Sequence, residues 1–211
     1  MADATIKNII FDLGGVFVDV DYSKTRQAFI DLGIINFDDF YQQSFSNPLF
    51  AQLEKGLISP ETFYNHFREA TATGLSDEAI KTAWNAMLGS FRVNSLAILP
   101  TIKQQFKTYL LSNTNAIHYE AINDIYRHQF GSNHFDDHFH RAYYSHLYHQ
   151  RKPDVIAYEV ILAENNLKKE ETLFVDDTMK NIAGAKAAGL QTLFIEKDGL
   201  VEDALRGIVL F

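Results

Sequence analysis

Asn8-Ile9-Ile10-Phe11-Asp12-Leu13-Gly14-Gly15-Val16 is the stretch from which the rest of the chain can be read. An apolar run rich in β-branched residues ends abruptly at a carboxylate, and a glycine pair follows. Such a run, bounded by turn residues, reads as a buried strand of a parallel sheet. In open α/β sheets ligands sit just beyond the carboxyl ends of the strands. Asp12 therefore stands where chemistry takes place, and the glycines let backbone approach a ligand closely. Taken alone, the stretch equally suits a turn capped by Asp12, because Asp beside Gly is also a turn signal.

Two later stretches repeat the pattern. Thr108-Tyr109-Leu110-Leu111 is a second buried strand and ends in Ser112-Asn113-Thr114-Asn115, a cluster of small polar residues. Leu173-Phe174-Val175-Asp176-Asp177 is another apolar run ending in carboxylates. Between these runs lie helical patterns: residues 95–106, with Pro100 in the middle, residues 118–130, and a helix opened by Arg151-Lys152-Pro153-Asp154. Lys152 precedes a proline and so belongs to extended backbone. An Ala-rich helix over 179–188, stopped by Gly189, and a strand over 191–195 complete the series. The order predicts an α/β fold, a doubly wound parallel sheet.

Residues 22–92 have a different character. Helix signals dominate and strand signals vanish. Ser23 is placed to cap a helix ended by Gly33, Asp38-Asp39-Phe40-Tyr41 to start another, and Ser59-Pro60-Glu61-Thr62 to open a third with Pro at its first position. Ser76 begins a fourth, with Ile80, Ala83, Trp84 and Met87 on its apolar face. Glu54-Lys55-Gly56 forms a turn between two of them. We expect a strand-free α-helical cap over 21–92, inserted into a core of 1–20 and 93–211. Before it, residues 16–21 read as a short extended flap with Asp19 and Asp21 on one face. The His-rich segment 134–149 reads as an irregular loop; no strict ligand spacing marks it as a metal site.

Composition narrows the function classes. The 211 residues suit one ordinary domain, or a core with a smaller insertion. There is no cysteine, which excludes disulfides and thiolate metal sites. The net charge of -8 argues against extended nucleic-acid binding. It leaves open a small anionic substrate, since a metal or one local Lys can overcome the global field. No apolar run approaches the roughly 20 residues of a membrane span, and Met1-Ala2-Asp3-Ala4-Thr5 lacks the features of a signal peptide. The expectation is a cytoplasmic monomer or homodimer with no membrane or nucleic-acid partner.

The three strand ends supply Asp12, Ser112 with Asn113, and Asp176 with Asp177, Asn181 following one turn on; Lys152 comes from a fourth position. Converging carboxylates call for a cation, and hard oxygen ligands suit Mg²⁺. A carboxylate held by Mg²⁺ and a Lys can act as a nucleophile, and a phosphoryl group is the matching electrophile. Asp177 and Asn181, four apart, can face the same metal. Each piece also has an ordinary reading, as turn former, surface charge or helix cap.

With these motifs in place the chain resembles the haloacid dehalogenase-like hydrolase superfamily, in its phosphatase branch with a helical cap inserted after the first strand. The resemblance runs along essentially the whole chain. It is similar in particular to phosphatases acting on glucose 1-phosphate and to the phosphatase domain of epoxide hydrolases. The resemblance implies a Mg²⁺-dependent phosphomonoester hydrolase for a small phosphorylated metabolite, a sugar phosphate by preference. Asp12 would be the nucleophile that becomes an aspartyl phosphate, and Lys152 would hold it and the phosphate charge. Asp12, the Gly14 carbonyl, Asp177, Asp176 and Asn181 would serve the metal, directly or through water. Ser112 would bind the phosphoryl group with Asn113 beside it, and Glu54 would face the leaving group. One position departs from most of the superfamily's phosphatases: Gly14 stands where they carry an Asp that protonates the leaving oxygen. A relayed water, or Asp19, could supply that proton. Gly14 also supports an alternative, a catalytically weakened phospholigand-binding protein.

Overall fold

The computed structural model describes residues 5–38, 41 and 48–208. The ends of the expected core, and Asp39 and Phe40 of the helix start expected at Asp38-Asp39-Phe40-Tyr41, lie outside the described residues. Seven strands are described: β1 Asn8–Phe11, β2 Val18–Val20, β3 Leu88–Phe91, β4 Lys107–Ser112, β5 Arg141–Tyr144, β6 Thr172–Asp176 and β7 Gln191–Phe194. Five form one sheet in the order β5-β4-β1-β6-β7. Every neighbouring pair in it is parallel, so all five carboxyl ends open on one edge. The expected doubly wound sheet is the observed architecture.

Side chains alternate faces along a strand, and the buried residues follow that rule. Ile9 and Phe11, with Leu110, Leu173 and Val175, pack on one face against Leu96, Leu99, Ile102 and Ile122. Ile10, with Leu111 and Phe174, packs on the other against Tyr158, Ile161 and Ile182. A β1 buried on both sides explains why its sequence is an unbroken apolar run. Phe11 lies level with Leu110 of β4 and Val175 of β6. The next residue, Asp12, donates its backbone N–H to the Val175 carbonyl at 2.9 Å. Asp12 is thus fixed at the sheet edge by strand pairing.

The insertion between β2 and β3 is mainly helical. The helices Tyr22–Asp31, Pro48–Glu54, Pro60–Thr71 and Asp77–Asn85 pack around their own apolar cluster, which includes Phe29, Phe63, Phe67, Ile80 and Trp84. Ser59 and Ser76 cap their helices as expected, accepting from the N–H groups of Thr62 and Ala79. At the first helix the cap is Asp21, whose side chain accepts from the Ser23 N–H at 3.0 Å; Ser23 is already inside the helix. Pro100 divides the expected 95–106 helix into Val93–Ala97 and Leu99–Gln105 and falls in the first turn of the second, where its missing N–H costs nothing.

Two strands were hidden from the sequence reading. The insertion is not strand-free: β3 pairs antiparallel with β2, Val18 facing Phe91 and Val20 facing Leu88. Leu88-Gly89-Ser90-Phe91 offers little strand signal of its own. Its glycine is required because a Cβ there would lie 2.9 Å from the Cβ of Asp19. The segment 134–149 is also ordered. It holds the 3₁₀ turn Phe135–His138, edge strand β5 and the short helix Ser145–Tyr148. Phe135, Tyr143 and Tyr144 are its buried anchors. The histidines between them mask the apolar pattern.

Candidate active site

The parallel sheet brings Asp12, Ser112, Asp176 and Asp177 to one edge, and the loop before the helix Val155–Glu164 adds Lys152. The Lys152 ammonium is 2.6 Å from Asp12 Oδ1 and 2.8 Å from Asp176 Oδ2, and its side chain is 1% exposed. A lysine so buried keeps its charge only when paired. Burial alone would lower its proton affinity, and the two carboxylates outweigh burial and raise it. Asp12 moves in the same direction. Burial raises it, Lys152 pulls it down, and the charges of Asp176 and Asp177 push it up. Asp177 is raised as well, by burial and by Asp176.

Three carboxylates thus share one ammonium, and the cluster remains short of positive charge. One oxygen from each of Asp12, Asp176 and Asp177 lies within 4.8 Å of the others. An all-oxygen, electron-rich donor set of this kind fits Mg²⁺. Asp176 is already well supplied with donors. Thr178 N–H reaches its Oδ1 at 2.7 Å, and the Asn181 side-chain amide donates to both of its oxygens. Asn181 is therefore turned toward Asp176, one residue away from the partner that the four-residue spacing suggests. Gly15 presses its backbone against Asp177. It has φ +71°, and a Cβ would fall 1.8 Å from Asp177 Oδ2, so glycine is needed both for conformation and for space.

A cavity of about 350 Å³ opens over this edge. Asp12, Gly14, Glu54, Ser112, Asn113, Lys152, Asp177 and Asn181 all line it, and Asp176 is fully buried behind them. Asn113 braces the lysine: its amide donates to the Lys152 carbonyl at 2.8 Å, and its oxygen accepts from the Lys152 N–H at 2.9 Å. The side chain that the sequence places beside the phosphoryl group is occupied in holding Lys152.

Glu54 enters from the end of the helix Pro48–Glu54 and pairs with Arg151 at 2.9 Å. The turn behind it is docked on the segment that carries Lys152. Lys55 pairs with Asp154 at 3.3 Å, the Lys55 carbonyl accepts from His149 Nδ1 at 2.8 Å, and Gly56 at φ +64° lies against the His146 carbonyl. Asp19 is not in this cavity. It pairs with Arg92 at 2.7 Å and borders a neighbouring one of about 440 Å³.

Three contributors escaped the sequence reading. Arg151 adjoins Lys152, and the sequence pattern alone gives it no role. Arg92 donates to the Gly15 carbonyl at 2.6 Å as well as to Asp19, so it props the glycine turn; nothing local in the sequence marks it. His118 lines the cavity. Its Nδ1 accepts from the Asn115 amide and its Nε2 donates to the Trp84 carbonyl. Burial pushes it down to about 4, so it is a neutral wall. The spacing of Asn115, as N-cap, from His118 was the available signal.

Known proteins share this arrangement of chain. A D-ribitol-5-phosphate phosphatase of Bacteroides thetaiotaomicron is 31% identical over 189 residues, which cover 89% of this chain and 90% of the relative. A sesquiterpene phosphatase of Aspergillus oryzae is 29% identical over 196 residues, 90% of each chain. The crystal structure of a HAD family enzyme of B. thetaiotaomicron, in complex with magnesium and inorganic phosphate, superposes with a TM-score of 0.79 at 29% identity; the match covers 91% of this chain and 95% of that one. The family model for haloacid dehalogenase-like hydrolases matches residues 6–189, a span that runs from the strand before Asp12 past the Asp176-Asp177 pair and Asn181, and the chain belongs to that family.

Proposed function

We propose that this hydrolase cleaves a phosphomonoester of a small polyhydroxylated metabolite, a sugar or sugar-alcohol phosphate, with Mg²⁺ as cofactor. The observation that carries the reading is the buried Lys152 ammonium clamped between Asp12 and Asp176, with Asp177 completing an oxygen cluster at the floor of the cavity. Such a floor suits a dianionic phosphoryl group only when positive charge is added. Asp12, Asp176, Asp177, Asn181 and the Gly14 carbonyl are the groups that would hold the metal. When bound, it neutralises phosphoryl oxygens and keeps Asp12 ionised.

An oxygen of Asp12 attacks phosphorus, the bond from phosphorus to the ester oxygen breaks, and an aspartyl phosphate forms. Water then attacks phosphorus and frees Asp12. Lys152 holds Asp12 and compensates the phosphoryl charge, Ser112 orients it, and Asn113 keeps Lys152 in place. Glu54 and Arg151 meet the leaving group. The helical insertion, residues 21–92, acts as a cap that excludes bulk water over the core of 1–20 and 93–211. The similarity to a D-ribitol-5-phosphate phosphatase and the Glu54–Arg151 pair in the cavity wall support a hydroxylated leaving group. A cytoplasmic setting belongs to this reading, and the cysteine-free composition is compatible with it.

The test is phosphate release from a panel of sugar and sugar-alcohol phosphates, with and without Mg²⁺, for the wild type and Asp12→Asn. Mg²⁺-dependent release that disappears in Asp12→Asn is expected. A wild type that binds phosphate esters and Mg²⁺ without release would instead identify a binding protein, with Gly14 as its cause.

A further inference from the structure

Gly14 carries no proton to give, yet an alkoxide leaving group needs one. The displacement is in line, so attacking and leaving oxygens lie on opposite sides of phosphorus. Asp12 attacks from the sheet edge. The leaving oxygen therefore faces away from the sheet, toward the insertion. The carboxyl groups lining the cavity, among the described residues, are Asp12, Asp177 and Glu54. Asp12 is committed to attack and Asp177 to the metal. Asp19 is tied to Arg92 beside a different cavity. His118 is neutral with both ring nitrogens engaged.

We infer that Glu54, on the insertion's side of the cavity, is the general acid and base of the reaction, in place of the carboxyl that Gly14 lacks. This rests on the phosphatase reading above. In the first step the P–O bond to the alcohol breaks and the leaving oxygen takes the Glu54 proton. In the second, water attacks the aspartyl phosphate and gives its proton to the Glu54 carboxylate, which restores the starting state. Arg151, 2.9 Å away, stabilises the carboxylate between the two steps. The surroundings suit a group that shuttles a proton. Burial raises the proton affinity of Glu54, while Arg151, Lys152 and Lys55 moderate the rise; the phenols of Tyr22 and Tyr41 are its other titratable neighbours. The docking of Lys55 and Gly56 on residues 146–154 fixes the carboxyl relative to Lys152 and hence to Asp12.

The test compares an alkyl phosphate with an aryl phosphate whose phenolate leaves without a proton. Glu54→Gln keeps the contact with Arg151 and loses the proton. For it, kcat on the alkyl ester is expected to fall about 10²–10⁴-fold. The aryl ester should still give a rapid burst of one equivalent of phenolate, followed by slow turnover with phosphate trapped on Asp12. The basic limb of the wild-type pH profile on the alkyl ester should be absent from the variant, and Glu54→Asp should restore part of the rate. Asp19→Asn, which keeps an acceptor for Arg92, should not show the alkyl-specific loss. Equal losses on the two esters, or a change in KM alone, would overturn the assignment. Absence of Mg²⁺-dependent release by the wild type would overturn the phosphatase reading itself, and the role of Glu54 with it.

Discussion

Asn113 holds Lys152 by the backbone at both ends, through a donated bond of 2.8 Å to its carbonyl and an accepted bond of 2.9 Å from its N–H. The two residues are 39 apart in the chain, so one side chain ties the end of β4 to the loop that delivers the ammonium. Asn113→Ala should leave the Lys152 N–H and C=O unpaired in a half-buried site, at a cost of about 1–3 kcal/mol in urea denaturation. Activity should fall more than that loss of stability accounts for, with kcat affected and KM little changed, because the ammonium is no longer aimed. Equal kcat in wild type and Asn113→Ala would show that the ion pairs alone position Lys152.

Among the described residues, Lys152 is the counter-charge paired within the cluster. Lys152→Met removes one partner from a buried ionic network, which costs about 3–5 kcal/mol. The sign of the pH dependence follows. Lys152 pulls Asp12 down against burial and its neighbouring carboxylates, so its removal raises Asp12 further. An acid raised in the folded state destabilises the fold as pH climbs through the window between its unfolded and folded values. The variant should therefore be most stable in mild acid, where the carboxylates are neutral, and weakest at neutral pH. Mg²⁺ should recover part of the loss. A flat difference between the two proteins across pH would count against a coupled cluster.

The strands carrying Asp12 and Asp176 were legible because both are buried on two faces and read as unbroken apolar runs. Their carboxylates were legible because a sheet of this topology gathers strand ends. Lys152 was legible through its proline. Other features depend on partners remote in sequence. Leu88-Gly89-Ser90-Phe91 is a strand because β2 lies beside it, and Arg92 matters because Gly15 is 77 residues away. Asn113 was placed at the correct edge, but its side chain turns to the Lys152 backbone, which spacing does not reveal. Asp19 alternates correctly along β2 and faces the neighbouring cavity, because the β2–β3 pairing sets the orientation of the strand.

Gly15 offers a test of the metal cluster that leaves every proposed ligand in place. Its φ of +71° and the 1.8 Å approach of an added Cβ to Asp177 Oδ2 mean that Gly15→Ala must move the turn, the carboxylate, or both. Displacing a group that orients a ligand lowers metal affinity about 10–100-fold. The prediction is a loss of that size in Mg²⁺ affinity, read by calorimetry, with the activity of the variant recovering at high Mg²⁺. Unchanged Mg²⁺ affinity would place the cation away from Asp177.

His118 sets an acid limit on stability that is independent of the ionic cluster. Burial pushes it down to about 4, and the hydrogen bond to the Trp84 carbonyl opposes only part of that shift. The imidazole is neutral in the fold, whereas in the unfolded chain it titrates near 6.5. Between those values the unfolded state binds the extra proton. The contribution is intact above about 6.5 and is lost as pH falls toward 4, with a slope of up to about 1.4 kcal/mol per pH unit. His146, also pushed down by burial to about 4, acts in the same window. The raised carboxylates Asp12, Asp177 and Glu54 pull the other way in this window, so the imidazole's contribution is read as a difference between two proteins. His118→Gln, which retains a donor for the Trp84 carbonyl, should be less stable than the wild type at pH 7.5 in urea denaturation, and that deficit should shrink as pH falls to 4.5. A deficit that does not change with pH would mean that this imidazole is not held neutral by the fold, and the neutral wall that it contributes to the cavity must be redrawn.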